Sequence, residues 1–176
     1  MNEYGVVIEP GALRLERVLP GPVERVWSYL TDSDKRGQWL APGQMDLRVG
    51  GPVELRFNHE DLSRQTGPTP ERYRNECNVT GHVTRCDPPR LLSYTWGESS
   101  GSNSEVTFEL TPRGKDVLMV ITHRRLGSRD AMVNVASGWH AHVGFLIDVL
   151  SDREPPDFWA VHARLAADYA QRIATP

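Results

Sequence analysis

The sequence predicts an α+β fold, a curved antiparallel sheet of about six to seven strands wrapped around a long C-terminal helix, with two short helices after the first strand. Three observations carry this expectation. Strand-like segments follow one another from Met45 to about Arg125 with turn residues, and no helical pattern, between them. A long apolar stripe at helical spacing follows Ser128. Such a sheet and such a helix bury both apolar faces most simply if the sheet curls around the helix, which tends to leave a cavity.

Taken in order, residues 1–11 carry Gly5, Pro10 and Gly11 without periodicity and are expected to form a loose arm. Leu13 to Leu19 alternates as a half-buried strand and stops at Pro20-Gly21-Pro22. Gly21 as cap, Pro22 at the first helical position and Glu24 in the first turn then open a short helix, with Val23, Val26, Trp27 and Leu30 on one face. Thr31, Asp32 and Ser33 offer the cap of a second helix ending around Gly37 to Trp39. The expected strands are Met45–Val49, Val53–His59, Asn78–Cys86, Leu91–Trp96, Glu105–Thr111 and Val117–Arg124. Short turns between consecutive strands make this an antiparallel meander. The polar stretch Glu60 to Glu76 is long for a loop.

Ser128 caps the long helix, which runs to about Asp152 with Met132, Val135, Ala136, Trp139, Val143, Leu146, Ile147 and Leu150 in its stripe. Gly138 inside it is expected to permit close packing against the sheet. Pro155-Pro156 breaks the helix, and Asp157 caps an additional terminal helix within 156–174.

A chain of 176 residues, 39% hydrophobic and 24% charged, suits a single domain over 1–176. Its net charge of −3 and scattered basic residues speak against nucleic acid as a partner. The longest apolar runs, such as Val117–Ile121 after Asp116, are far short of the roughly 20 residues that cross a bilayer. The N-terminus lacks a basic segment followed by a long apolar one, so a cytoplasmic protein is expected, with Cys77 and Cys86 as reduced thiols. No Cys-x-x-Cys, Gly-x-Gly-x-x-Gly or Gly-Lys-Ser/Thr motif points to a cofactor, and none is expected. Gly97-Glu98-Ser99-Ser100-Gly101 spells the nucleophile elbow of hydrolases, but a strand-like run follows where the elbow needs a helix, so it is read as a hairpin loop.

One set of residues resembles a known family. Val26-Trp27 with Leu30-Thr31-Asp32, Trp39, Gly50-Gly51, Gly81-x-Val83 through Pro88-Pro89 to Leu91 and Trp96 carry its first half. Val106-Thr107-Phe108-x-Leu110, Thr122-His123 and Gly138-Trp139 carry its second half. Together, over about residues 12 to 150, they resemble the START-like, helix-grip superfamily (SRPBCC), and within it the domain named for homologues of the heat-shock chaperone ATPase activator. The resemblance implies a binder of apolar or amphipathic small molecules, with some branches acting as cyclases or aromatases, and carries no shared catalytic motif. The activator itself works with an additional N-terminal domain, whereas residues 1–11 alone precede the first expected strand, so co-chaperone activity is not the leading expectation.

Matching strand alternation to that resemblance places Leu55, Phe57, Tyr94 and Trp96 on the inner face. Val53, Leu92, Val106, Leu110 and Val117 share it, as do Phe108, Met119, Ile121 and His123, opposite Val135, Trp139 and Val143 of the helix. These either wall a ligand cavity or fill a solid core. His123 ends an apolar series where an imidazole can orient a ligand or move a proton; the plainer reading is a packed histidine satisfied by backbone. His140 and His142 project about 160° apart, so they suit no single metal, and with His59, His82 and His162 they are expected at the surface. No metal site is expected. Glu54, Arg56, Asp61 and Glu76 are expected to be solvated, and Trp27 and Trp39 to anchor packing.

The leading expectation is a protein that binds an apolar or amphipathic small molecule between sheet and long helix, with the 60–76 segment as a flap. The alternatives are a cyclase- or aromatase-like enzyme using His123, Tyr94 or a mouth carboxylate, and a partner protein that binds a chaperone or forms a homodimer through an exposed patch on the last helix.

Overall fold

The computed structural model describes residues 3–74 and 78–174, so Glu76 and Cys77 lie outside the described residues. The strands are β1 (Val6–Glu9), β2 (Ala12–Pro20), β3 (Pro52–Arg56), β4 (Asn78–Asp87), β5 (Leu91–Trp96), β6 (Ser104–Arg113) and β7 (Asp116–Arg124). They form one seven-stranded sheet in the order β1-β2-β7-β6-β5-β4-β3, antiparallel throughout. The helices are α1 (Val23–Thr31), α2 (Ser33–Arg36), α3 (Arg129–Leu150) and α4 (Phe158–Arg172), with single 3₁₀ turns at His59–Asp61, Glu71–Tyr73 and Glu98–Ser100. This is the helix-grip architecture expected from the sequence.

Curvature is concentrated in β4. Its first half pairs with β3, from Arg56 opposite Asn78 to Pro52 opposite His82, and its second half pairs with β5 across a register shift between Val83 and Arg85. At the changeover stands Gly81, where an added Cβ would lie 2.0 Å from the Thr95 carbonyl oxygen. Only a residue without a side chain lets the strand turn this tightly over β5. The sheet therefore cups α3.

The caps are those the sequence offers. Ser128 Oγ accepts from the Ala131 N–H at 3.1 Å, Asp157 Oδ1 from Trp159 N–H at 3.1 Å, and Asp32 Oδ1 from Lys35 N–H at 3.0 Å. At α1 the cap is Pro22 and not Gly21. Two expectations need correction. Residues 6–9 of the expected loose arm form β1, which pairs with β2, while the preceding Gly5 donates its N–H to the Tyr169 hydroxyl at 2.7 Å. The expected strand Met45–Val49 shrinks to one bridge, Met45 to Val53. Asp46 instead accepts from the Arg48 guanidinium at 2.8 Å and the segment turns at Gly50, a local competitor to ladder pairing.

Segment 37–43 is fastened to the core by Arg36, which is buried. Its guanidinium donates to the carbonyls of Ala41 (2.9 Å), Gly43 (2.5 Å), Thr31 (3.2 Å) and Leu30 (3.3 Å). Burial lowers its pKa, and it remains cationic because an arginine cannot be deprotonated in this range. Replacing Arg36 by Ala leaves those carbonyls orphaned. We expect a loss of about 3 kcal/mol of stability in urea unfolding, with Arg36→Lys recovering only part of it; an unchanged midpoint would contradict this role.

Candidate functional site

The cup closes over two different interiors. In its centre Leu55, Tyr94, Phe108, Met119 and Val143 are sealed in a solid core. Towards one end the sheet and α3 diverge and leave an open-mouthed cavity of about 480 Å³. Phe57, Trp96 and His123 form its sheet side, and Val135, Gly138, Trp139 and His142 its α3 side. A third wall comes from Phe158, Trp159 and His162 of α4 with His59 and Tyr73 of the connecting segment. Exposed Asn78 and Ser100 mark the rim.

Core and cavity are thus both present, one beside the other. Phe57, Trp96, His123, Val135 and Trp139 stand where the sequence expected cavity walls. Leu55, Tyr94, Phe108, Met119 and Val143 do not, being buried in the core; Phe108, for one, packs edge-on against Trp139 at 5.4 Å between ring centroids. Ile121 borders a separate void of about 10 Å³, room for no more than one water. Gly138 also departs from expectation. A Cβ there would meet nothing within 4 Å, so this glycine opens space and does not bring helix and sheet together.

His123 is held by side chains. The Trp139 indole donates to its Nδ1 at 3.0 Å, so in the neutral ring the proton sits on Nε2, which donates to Ser104 Oγ at 3.0 Å. Ser104 in turn donates to the Trp96 carbonyl at 3.2 Å. Burial, with the Arg125 charge adding, pushes the His123 pKa down to about 3. Both nitrogens are engaged, which leaves none for a ligand or for proton transfer. Tyr94 is sealed in the core with its pKa raised by burial.

Three of the other histidines overturn the expectation of surface positions, while His82 stays accessible at the surface. His140, His142 and His162 are only 9%, 5% and 6% exposed, because α4 lies over the flank of α3 that would otherwise face water. His140 and His142 do project apart, as the spacing predicts: His140 Nδ1 meets the Tyr169 hydroxyl at 2.9 Å, and His142 Nδ1 donates to the Trp39 carbonyl at 2.7 Å. His59 lies against both Phe158 and Trp159, with ring centroids 4.6 and 4.7 Å away. Burial, then the neighbouring His162, lowers His59 to about 4; burial, then Arg72, does the same for His162. His142 is pushed well below its ordinary value by burial and then by His59. The cavity imidazoles are therefore uncharged at neutral pH. Among the described residues, no three His, Cys, Asp or Glu side chains are grouped to hold a metal ion.

The sequence reading missed His59, Tyr73, His142, Phe158, Trp159 and His162. The available signal was the spacing Phe158, Val161, Leu165, Tyr169 on the last helix, which announces an inward face but not what it covers. That face is buried, so the exposed patch expected there is absent from the described residues of α4. The 60–76 segment, expected as a flap, contributes Tyr73 to the cavity wall over its described part. Ser63 Oγ donates to the Pro155 carbonyl at 2.6 Å, and Phe158 N–H to Thr66 Oγ1 at 3.2 Å, tying the segment to the α3–α4 connection. Glu54 and Arg56 pair on the surface at 3.4 Å, and Trp39 is fully buried with its indole on the Tyr29 carbonyl at 2.8 Å. The Gly97–Gly101 motif is a loop with both glycines left-handed, between β5 and β6.

No helix among the described residues is long and apolar enough to cross a membrane. The family described as "Activator of Hsp90 ATPase homolog 1-like protein" matches residues 20–151. No curated protein matches. Among solved structures, the solution structure of the protein encoded by gene BPP1335 of Bordetella parapertussis is 43% identical, covers 98% of this chain and 91% of its own, and superposes with a TM-score of 0.80. CalU16 of Micromonospora echinospora shares the fold at 24% identity, with 93% of this chain and 88% of that chain covered and a TM-score of 0.70. The Aha1 dimer of Colwellia psychrerythraea does so at 17% identity, covering 79% and 95%, with a TM-score of 0.59.

The histidine environment has a consequence for stability. In the unfolded chain each histidine titrates near 6.5. His59, His140 and His162 fall to about 4 and His123 to about 3 in the fold, so between these values the unfolded state binds more protons and stability rises with pH. The urea midpoint should fall steadily as pH drops from about 6.5 toward 4, and His162→Phe should flatten that slope. A midpoint that holds or rises on acidification would refute neutral buried imidazoles.

Proposed function

Given that the chain belongs to the family of Activator of Hsp90 ATPase homolog 1-like proteins, we propose that it binds an apolar or amphipathic small molecule in the cavity between sheet, α3 and α4. The observation that carries this reading is a cavity of about 480 Å³ whose lining includes six Phe, Tyr or Trp side chains and four histidines, within the size range of small-molecule sites. Burying apolar ligand surface supplies the affinity, at about 25 cal/mol per Å² before the costs of association. The saturated hydrogen bonds of His123 favour binding over proton-transfer catalysis at that residue. A cytoplasmic setting belongs to the same proposal.

Gly138 provides the test. Because nothing stands in the way of a side chain there, Gly138→Leu should fold at least as stably as the native chain while filling the cavity. Saturable binding of the neutral dye Nile red is expected for the native protein and at least about tenfold weaker binding for the variant. Equal binding by both would move the site elsewhere.

A second reading, self-association, is favoured by the outermost strand. Val6, Val7 and Ile8 of β1 stand exposed along the sheet edge, where unpaired backbone invites another strand. A sedimentation coefficient that rises with concentration and is brought back to the monomer value by Val7→Lys would support it; a concentration-independent monomer would remove it.

A further inference from the structure

The walls and polar atoms of the cavity say more about its occupant than that it is small and apolar. We propose that the cavity selects an uncharged hydroxy-aromatic molecule, a phenol in chemical class, whose ring lies among the tryptophans and whose hydroxyl is held by His142. This inference rests on the small-molecule reading above and narrows it.

Charge is excluded first. Among the described residues that line the cavity there is no Asp, Glu, Lys or Arg. A carboxylate or ammonium brought inside would lose water without a charged side chain on the described walls to pair with, since Arg72 and Arg125 act on the cavity histidines without lining the cavity. Long-chain acids are therefore disfavoured even though they are apolar.

Ring character comes next. Trp96 and Trp139 meet edge to face at 5.2 Å, and Tyr73 stacks on Trp159 at 5.1 Å with 14° between planes. Rigid faces and edges of this kind accept a flat ring in offset or edge-on contact, and gain less from a flexible chain that must be ordered on binding.

The hydroxyl follows from a polar atom left without a protein partner. His142 Nδ1 gives its proton to the Trp39 carbonyl, so Nε2 of the neutral ring carries a lone pair, and no donor among the described residues reaches it. The Trp159 indole N–H, although it has no acceptor among the described residues, is sealed from the cavity and takes no part. Buried polar groups are nearly always paired, so an acceptor left open on a ring that lines the cavity points to an occupant that donates to it. A phenolic hydroxyl is such a donor. His123, whose two nitrogens are taken, offers nothing comparable.

Equilibrium dialysis at pH 7 with a matched series tests this: biphenyl, 4-phenylphenol, biphenyl-4-carboxylate and dodecan-1-ol. The expected order places 4-phenylphenol first, about tenfold tighter than biphenyl and dodecan-1-ol and about a hundredfold tighter than the carboxylate. His142→Asn keeps a donor for the Trp39 carbonyl and vacates the Nε2 position, its own amide oxygen lying closer to the backbone, and should bring the phenylphenol-to-biphenyl ratio close to one. His142→Phe, which carries no acceptor at all, should lower the same ratio and serves if the Asn variant does not fold. Tightest binding of the carboxylate or dodecanol, or a ratio unchanged in both variants, would overturn the phenol assignment while leaving small-molecule binding in place. Retention of none of the four would overturn small-molecule binding itself.

Discussion

The hydrogen bond from the Trp139 indole to His123 Nδ1 joins the long helix to the sheet where the solid core ends and the cavity begins. On one side of it Tyr94, Phe108 and Met119 are buried in the solid core. On the other, Gly138 and Val135 leave room that the sheet does not fill. The bond is relayed through Ser104 to the Trp96 carbonyl, so the helix, β7 and the turn into β6 are set in one fixed relation. A chain of this kind costs little in a dry interior when every member is satisfied, and this one is. The histidine that looked most like a working group is a structural strut, and its neutrality is a condition of that role.

What turns the gap into a chamber is the far end of the chain. Helix α4 and the connecting segment close a side that α3 and the sheet leave open, and Ser63 and Thr66 lock the two together. The same closure removes water from His59, His142 and His162, which lowers their pKa values and keeps them uncharged. Burial thus performs two tasks at once: it encloses apolar volume and converts titratable rings into neutral hydrogen-bonding ones. An imidazole anchored by one nitrogen to a backbone carbonyl keeps the other in a defined state and direction, which is how His142 differs from a histidine at the surface.

Much of this was legible in the chain. Alternation in Leu92-x-Tyr94-x-Trp96 and in Val117 through His123 gives the inner face, and Ser128 and Asp157 give both long-helix starts to the residue, because caps and pleats are local chemistry. β1 was not legible: Val6-Val7-Ile8 has no alternation, and its order comes from Tyr169 far along the chain. The division of the inner face into core and cavity was hidden for a similar reason. It depends on where the sheet and α3 diverge, which alternation along a single strand does not state. The spacing of His140 and His142 correctly set them apart, but only the docking of α4 decides that both are covered. Polarity suggested surface, and tertiary packing overrode it.

The central claim is that the chamber beside the Trp139–His123 bond is a binding site. The indole N–H resonances of the five tryptophans in a ¹H–¹⁵N spectrum test it most directly, since Trp96, Trp139 and Trp159 line the chamber while Trp27 and Trp39 do not. On titration with 4-phenylphenol, the account predicts saturable shifts of the first three with Trp27 and Trp39 little changed. Shifts confined to Trp27 and Trp39, or none at all up to the solubility limit, would contradict it.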